Sequence, residues 1–423
     1  MPDPRQLLRV LRHRDFRLFW MANSATVLGD NIVAVALALF VIDLTGSATD
    51  LGLVLAAYSV PLIALLLVGG VLADRLPRNL VVVGTDLVRC ALHALLAVLI
   101  LTGEVRIWHL MVIGVLFGAA EAFYRPAAAG LLPQTVPEEE IQEATAVTTM
   151  SQNLAEFAGP ALATVLVLGF SPAAAFGLDA ATFLVSAALM VRLRPRERTS
   201  VDDAVAAAAA AGTPAPPVQP ARAMWSDVRV GFAEVRARAW VWATLAVFSI
   251  ALVMALAPLV VVGPLVAREQ YGDLAVFGYV FAAFGAGTIV GSLAALRWRP
   301  RYPMRTGMIM ALVWPAGIAV FAAGPPLALA LLAMALGGAC VSLFDVWWLT
   351  ALAERIPPDK LSRVTSYDWM VSLGLVPLGF VLAGPAADAI GATEVLLGGA
   401  VIACVALALG LLPRETRMLE RLA

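Results

Sequence analysis

Between two long apolar stretches the chain reads Gly69-Gly70-Val71-Leu72-Ala73-Asp74-Arg75-Leu76-Pro77-Arg78-Asn79. Leu51 to Leu72 on its upstream side holds no charge, and Leu80 to Leu101 on its downstream side is interrupted only by Asp86, Arg89 and His93. An ion in hydrocarbon costs several kcal/mol, so the three charges of the quoted stretch mark a tight turn between two membrane helices. Everything else in the chain is placed relative to that turn.

The 423 residues are 61% hydrophobic and 14% charged, with a mean hydropathy of +0.87. Soluble domains are about 25% charged, so this is a polytopic membrane protein. An apolar run of about 20 residues crosses a bilayer as a helix. Such runs are expected at Phe16 to Ile42, Leu51 to Leu72, Leu80 to Leu101, Trp108 to Leu132, Ile141 to Phe170 and Pro172 to Val191. A second set is expected at Ala239 to Ala267, Ala275 to Leu296, Met304 to Ala323, Pro326 to Ala353, Leu361 to Ile390 and Val395 to Leu412. The basic N-terminus ahead of the first run reads as a flank and not as a secretory signal, because that run is too long and carries Asp30 at its centre.

Between the two sets, Arg194-Pro195-Arg196-Glu197-Arg198, an alanine run, Pro214, Pro216, Pro217 and Pro220 cannot bury a core. The expected organisation is an all-α membrane protein: a first six-helix bundle over residues 1–192, a cytoplasmic linker over 193–238, and a second bundle with a short tail over 239–423. Of the 29 Lys and Arg residues, all but Arg89, Arg106 and Arg268 fall on the side of both termini. The positive-inside rule then places the termini and the linker in the cytoplasm, in the inner membrane of the cell.

The halves resemble one another. Val136-Pro137-Glu138-Glu139-Glu140-Ile141 parallels Ile356-Pro357-Pro358-Asp359-Lys360-Leu361, and Thr145, Met150 and Gly159 fall on Thr365, Met370 and Gly379 in the same register. This is an internal repeat that yields twelve transmembrane helices in two pseudo-symmetric six-helix bundles. The second half lacks the acid at its own turn, where Gly291 leads to Ala295-Leu296-Arg297.

Gly70, Asp74-Arg75, Pro77 and Arg78 resemble the G-x-x-x-D-R-x-G-R-R signature that major facilitator superfamily transporters carry between helices 2 and 3, with Pro77 and Asn79 replacing a Gly and an Arg. Asp15-Phe16-Arg17-Leu18-Phe19-Trp20, Leu28-Gly29-Asp30, Leu44-Thr45-Gly46-Ser47, Phe123-Tyr124-Arg125-Pro126-Ala127 and Ala158-Gly159-Pro160-Ala161 resemble the drug-proton antiporter branch that holds macrolide, Tap-type and enterobactin exporters. The resemblance implies the major facilitator fold, alternating access, export and proton coupling. It also implies that Asp74, with Arg75 and Arg78, gates the cytoplasmic side against the start of helix 11, and that Gly159 and Pro160 let helix 5 pack closely and bend.

Asp30 sits near the middle of a span, with Asn23 and Thr26 at helical spacing on one stripe. A carboxylate there must face water, pair, or hold a proton, which suits a proton carrier. It also suits a structural acid bonded to helix termini or to Arg89. Thr145, Thr149, Gln152 and Glu156 form a second stripe that faces either a central cavity or a neighbouring helix. Glu121 and Arg125 are four apart with the acid first, so they can pair, and Arg125 reads as a gate or packing residue. Arg89 reads as a gate or as the local partner of Asp86, and His93 as a core histidine. Asp179, Asp345 and Asp368 are further intramembrane acids, of which Asp368, beside Trp369 and one turn from Ser372, is the best placed. The proton-coupling candidates are thus Asp30, Glu156 and Asp368. The cavity candidates are Asn23, Thr26, Thr149, Gln152, Trp369 and Ser372.

Cys90, Cys340 and Cys404 are far apart in apolar runs and read as small buried residues, not as a disulfide or metal set. Gly285, Gly287 and Gly291 lie within a span without dinucleotide spacing and read as a helix-packing edge. Walker A, H-E-x-x-H and G-x-S-x-G patterns do not occur in the sequence. The reading is therefore a secondary transporter and not an enzyme, driven by a proton gradient without a cofactor or metal. Its expected partners are a small molecule, protons and lipid but no nucleic acid, and it is expected to be a monomer. The rivals are an importer or lipid-moving protein of the same fold, and a non-transporting membrane sensor.

Overall fold

The structure, a computed structural model, describes residues 8–196, 232–357, 364–365, 367–368, 370–372 and 374–421. Most of the expected linker, and Trp369, lie outside these residues, and the side chain of Asp74 is likewise outside the description.

In the first half the helices are α1 (Arg14–Thr45), α2 (Ala48–Arg75), α3 (Arg78–Leu101), α4 (Ile107–Leu131), α5 (Ile141–Gly169) and α6 (Pro172–Met190). In the second they are α7 (Ala239–Tyr271), α8 (Ala275–Arg297), α9 (Pro303–Ala322), α10 (Leu327–Arg355), α11 (Val376–Ile390) and α12 (Ala392–Leu409), followed by the short α13 (Arg414–Met418). Eleven helices among the described residues are long and apolar enough to cross a membrane. The other long one, α5, has 29 residues, and its polar stripe keeps its hydropathy below that of the eleven.

Local chemistry sets the ends. α1 stops where Gly46 adopts φ 68°, a left-handed conformation that a side chain resists. Ser47 then opens α2, its hydroxyl accepting from the Asp50 N–H at 3.1 Å. In α7 a π-helical turn at Leu252–Leu256 precedes Pro258, which lacks the N–H that an α-helical turn needs there. α9 breaks at Leu312, one turn ahead of Pro315, for the same reason.

The two halves pack alike. α2 runs along α4, α3 along α6, and α1 against α5 and α6, while α8 runs along α10, α9 along α12, and α7 against α11 and α12. Close approaches fix these pairs. A methyl group at Gly118 would stand 2.0 Å from the Tyr58 carbonyl oxygen, and one at Gly338 would stand 2.1 Å from that of Phe284. Likewise Gly159 is pressed on Asn31, and Gly379 on Ala257, at 2.5 Å each. Gly118 and Gly338 share the register that relates Gly159 to Gly379, so the repeat extends to a pair that the sequence alone did not single out. Gly287 and Gly291 likewise meet the Ala335 and Ala339 carbonyls of α10.

Across the halves, α2 meets α11 and α5 meets α8. Thr49 donates to Asp388 Oδ2 at 2.7 Å, and methyl groups at Gly52, Gly384 and Gly278 would collide with Phe380, Thr49 and Thr164. Among the described residues these approaches lie from mid-helix to the end opposite the termini. At the end that carries the termini, one apolar cluster around Phe16, Tyr124 and Val147 belongs to the first half and another around Leu343 and Trp347 to the second. Among the described residues the halves are thus held together from mid-helix to the end opposite the termini.

A buried ion network in the first half

Gly29 is the reason α1 can bring Asp30 so deep. A methyl group there would lie 1.9 Å from Asp179 Oδ1, so only glycine lets α1 press against α6 at this level. Asp30 then lines a cavity of about 190 Å³ with Tyr58, His93, Glu121 and Arg125. It forms neither a hydrogen bond nor an ion pair among the described residues.

Beside it lies a chain of ion pairs. Arg89 on α3 is fully buried and reaches both Asp86 Oδ1, at 2.5 Å, and Glu121 Oε2 of α4, at 2.7 Å. Its guanidinium is held between two rings, 3.9 Å from the centroid of Tyr124 and 4.4 Å from that of Phe183. Ser186 of α6 donates to the free oxygen of Asp86 at 2.6 Å. Glu121 turns its second oxygen to Arg125 Nε at 2.9 Å, the pairing that their spacing allowed. A separate couple joins α3 to α6: His93 Nδ1 and Asp179 Oδ2 are 2.5 Å apart, and Thr182 donates to the other oxygen of Asp179 at 3.1 Å. His93 stacks on Phe117 with centroids 4.4 Å apart.

The network therefore holds four carboxyls, Asp30, Asp86, Glu121 and Asp179, against two arginines and one histidine. Asp30 is the acid left over, within electrostatic reach of Glu121, Asp179, Arg89 and Arg125. Of the readings offered for Arg89, the local pairing with Asp86 is present and Glu121 joins it, whereas Arg89 does not pair with Asp30. Asn23 and Thr26 are buried and do not line the cavity that Asp30 lines, since α1 turns that part of the stripe into the bundle.

Thr149 and Glu156 are exposed and Gln152 is partly so, with Glu156 free of hydrogen bonds among the described residues. Asp345 of α10 is exposed and stands within electrostatic reach of Asp368. Asp368 is tethered instead, accepting from Trp348 Nε1 at 2.9 Å and from Ser372 at 3.4 Å. Ser372 thus serves Asp368, an arrangement that leaves it less free to meet a ligand. Among the described residues no group of three or more His, Cys, Asp or Glu side chains is arranged to hold a metal ion.

Residues 19–373 match the Major Facilitator Superfamily. The chain belongs to that family. It is 22% identical over 403 residues to macrolide efflux protein A of Streptococcus pyogenes, covering 93% of this chain and 94% of the relative. It is 26% identical over 380 residues to the multidrug efflux pump Tap of Mycolicibacterium fortuitum, covering 86% and 87%. The fold matches that of a bacterial homologue of the human lysosomal transporter Spinster, in an inward-facing and unoccupied conformation. That match has a TM-score of 0.68 and 15% identity, covering 100% of this chain and 99% of that one.

In this major facilitator transporter the turn between α2 and α3 is pinned by Arg78, which donates to the Gly130 carbonyl at the end of α4 at 2.7 Å and to the Ala73 carbonyl at 3.4 Å. Arg75 is exposed. The signature glycine Gly70 faces open space, whereas a methyl group at Gly69 would stand 2.1 Å from the Ala122 carbonyl oxygen. At this end of α2 the close approach to α4 is therefore the work of Gly69, one residue earlier than the motif suggests.

Proposed function

We propose that this transporter exports a hydrophobic or amphipathic small molecule, in the class of drugs, macrolides or siderophores, in exchange for protons. The observation that carries the reading is Asp30, an acid without a partner in a network otherwise paired, at the wall of a cavity in mid-bundle. An uncompensated charge at that depth costs several kcal/mol, so binding of a proton or a cationic group accompanies at least part of the cycle. The efflux named for macrolide efflux protein A and for Tap supports the direction. With both termini in the cytoplasm of an inner membrane, the end at which the halves meet faces outward, which leaves the cytoplasmic end as the side from which an exporter loads its cargo. Exposed Glu156 and Asp345, and tethered Asp368, are the other acids available to the cycle. No cofactor is needed, and one chain carries both halves of the machinery.

The test is accumulation of a panel of labelled lipophilic compounds in inverted vesicles, with and without an imposed pH gradient, acid inside. The expected result is accumulation of some compounds that collapses when a protonophore is added. Equal uptake of every compound with and without the gradient would overturn the proposal.

A further inference from the structure

The cavity beside Asp30 lies inside the first half, between α1 on one side and α2 and α4 on the other, and every residue that lines it belongs to that half. It exists because α1 leans on α5 and α6 while α2 leans on α4, and because Ala34 and Gly114 contribute little volume to its walls. Ala34 is exposed although its neighbours Val33 and Val35 are buried, at 8% and 4%. Away from one polar end, the walls are apolar, among them Leu37, Val54, Leu110, Ile113 and Phe176.

Size and charge narrow what fits. An apolar protein cavity of about 150 Å³ holds a benzene ring, and this one is about 190 Å³. At the polar end Arg125 is paired with Glu121, Arg89 with Asp86 and Glu121, and His93 with Asp179. The unpaired group is Asp30, and the aromatic rings of Tyr58 and Phe117 flank the same space. With Asp30 ionised the residual charge is negative, which favours a cation over an anion or a neutral acceptor. Arg125, whose side chain is 47% exposed, is among the residues that line the cavity.

We propose that this cavity is a side chamber for one ring-sized apolar arm of an organic cation, whose ammonium group stands at Asp30. The inference rests on the proposal that the transporter handles amphipathic molecules, and it adds the charge of the cargo, the size of one arm and the place that receives it.

The experiment measures equilibrium binding of phenylethylammonium and ring-free ethylammonium to the purified full chain in lipid nanodiscs. Wild type should bind the ring-bearing ion at least about tenfold tighter, the worth of burying one aromatic ring. Ala34→Phe, and independently Ile113→Trp, should bring that ratio down to about one by filling the chamber. Two variants at different walls separate chamber filling from misfolding, which thermal melting also monitors. Asp30→Asn should weaken both ions by similar factors and leave the ratio as it was. A ratio near one in wild type, or a ratio unmoved by both filling variants, overturns the chamber. Because no proton gradient is present, a failed gradient test of export leaves this result independent: ring preference without proton-driven uptake would keep the chamber and sink the coupling.

Discussion

Arg89 carries its charge where no solvent reaches it; two carboxylates bond its terminal nitrogens and two aromatic faces flank it, replacing most of the water it lost. Removing one partner of such a pair leaves uncompensated charges, at a cost of about 3–5 kcal/mol. Arg89→Ala is therefore expected to destabilise the protein by that amount in denaturant unfolding in detergent. Arg125→Ala should cost about 1 kcal/mol or less, since its side chain is half exposed and Glu121 keeps Arg89. Equal losses for the two variants would contradict the assignment of Arg89 as the centre of the network. The local halves of this network were legible in the sequence, because Asp86 and Arg89, and Glu121 and Arg125, sit one helical turn apart. The bond between Arg89 and Glu121 was not, because it requires α3 and α4 to lie side by side at one level, which no spacing within either helix encodes. The same holds for His93 with Asp179 and for Ser186 with Asp86, whose partners lie many residues apart in the chain.

Helices were the most readable elements. Long apolar runs bounded by Gly46-Ser47, Pro77 and Ser171-Pro172 mark their ends through left-handed turns, hydroxyl caps and missing N–H groups, all of which are local chemistry. The close approaches between helices were less readable, because a glycine that meets a neighbouring backbone looks the same in sequence as one that faces open space. Gly69 and Gly70 illustrate this, adjacent in the chain and opposite in role. Gly384 carries the clearest consequence: a side chain there would drive into the Thr49 backbone, 2.3 Å from its Cα, and would separate α2 from α11. Gly384→Val should therefore favour the state open at the end opposite the termini. Spin labels at Ser47 and Thr393 would report it as a longer and broader distance distribution. Thr49→Val, which removes the hydrogen bond to Asp388, should shift the same distribution in the same direction by less. An unchanged distribution in both would show that this contact does not hold the closed end.

Over the whole molecule, the two halves repeat one packing scheme, yet only the first encloses a network of buried ions among the described residues; the second offers Asp345 and the tethered Asp368, within electrostatic reach of each other. The repeat was visible in the sequence because backbone packing reuses the same small residues in the same register, whereas the functional asymmetry lies in which side chains each half keeps. The orientation expected from arginine placement can be tested directly. In a background with Cys90, Cys340 and Cys404 replaced by alanine, a cysteine at Leu76 should react with impermeant thiol reagents from the cytoplasmic side only, and one at Ser47 from the opposite side only. Reversed labelling would turn the end at which the halves meet inward and contradict export by this route. The central claim is that Asp30 couples transport to protons, and it is tested by comparing gradient-driven accumulation with gradient-free exchange of one uncharged cargo in vesicles carrying wild type or Asp30→Asn. Because the amide mimics the permanently protonated acid, exchange should persist while a pH gradient no longer drives accumulation. Accumulation that survives in Asp30→Asn would contradict the account and pass the coupling role to Glu156 or Asp368.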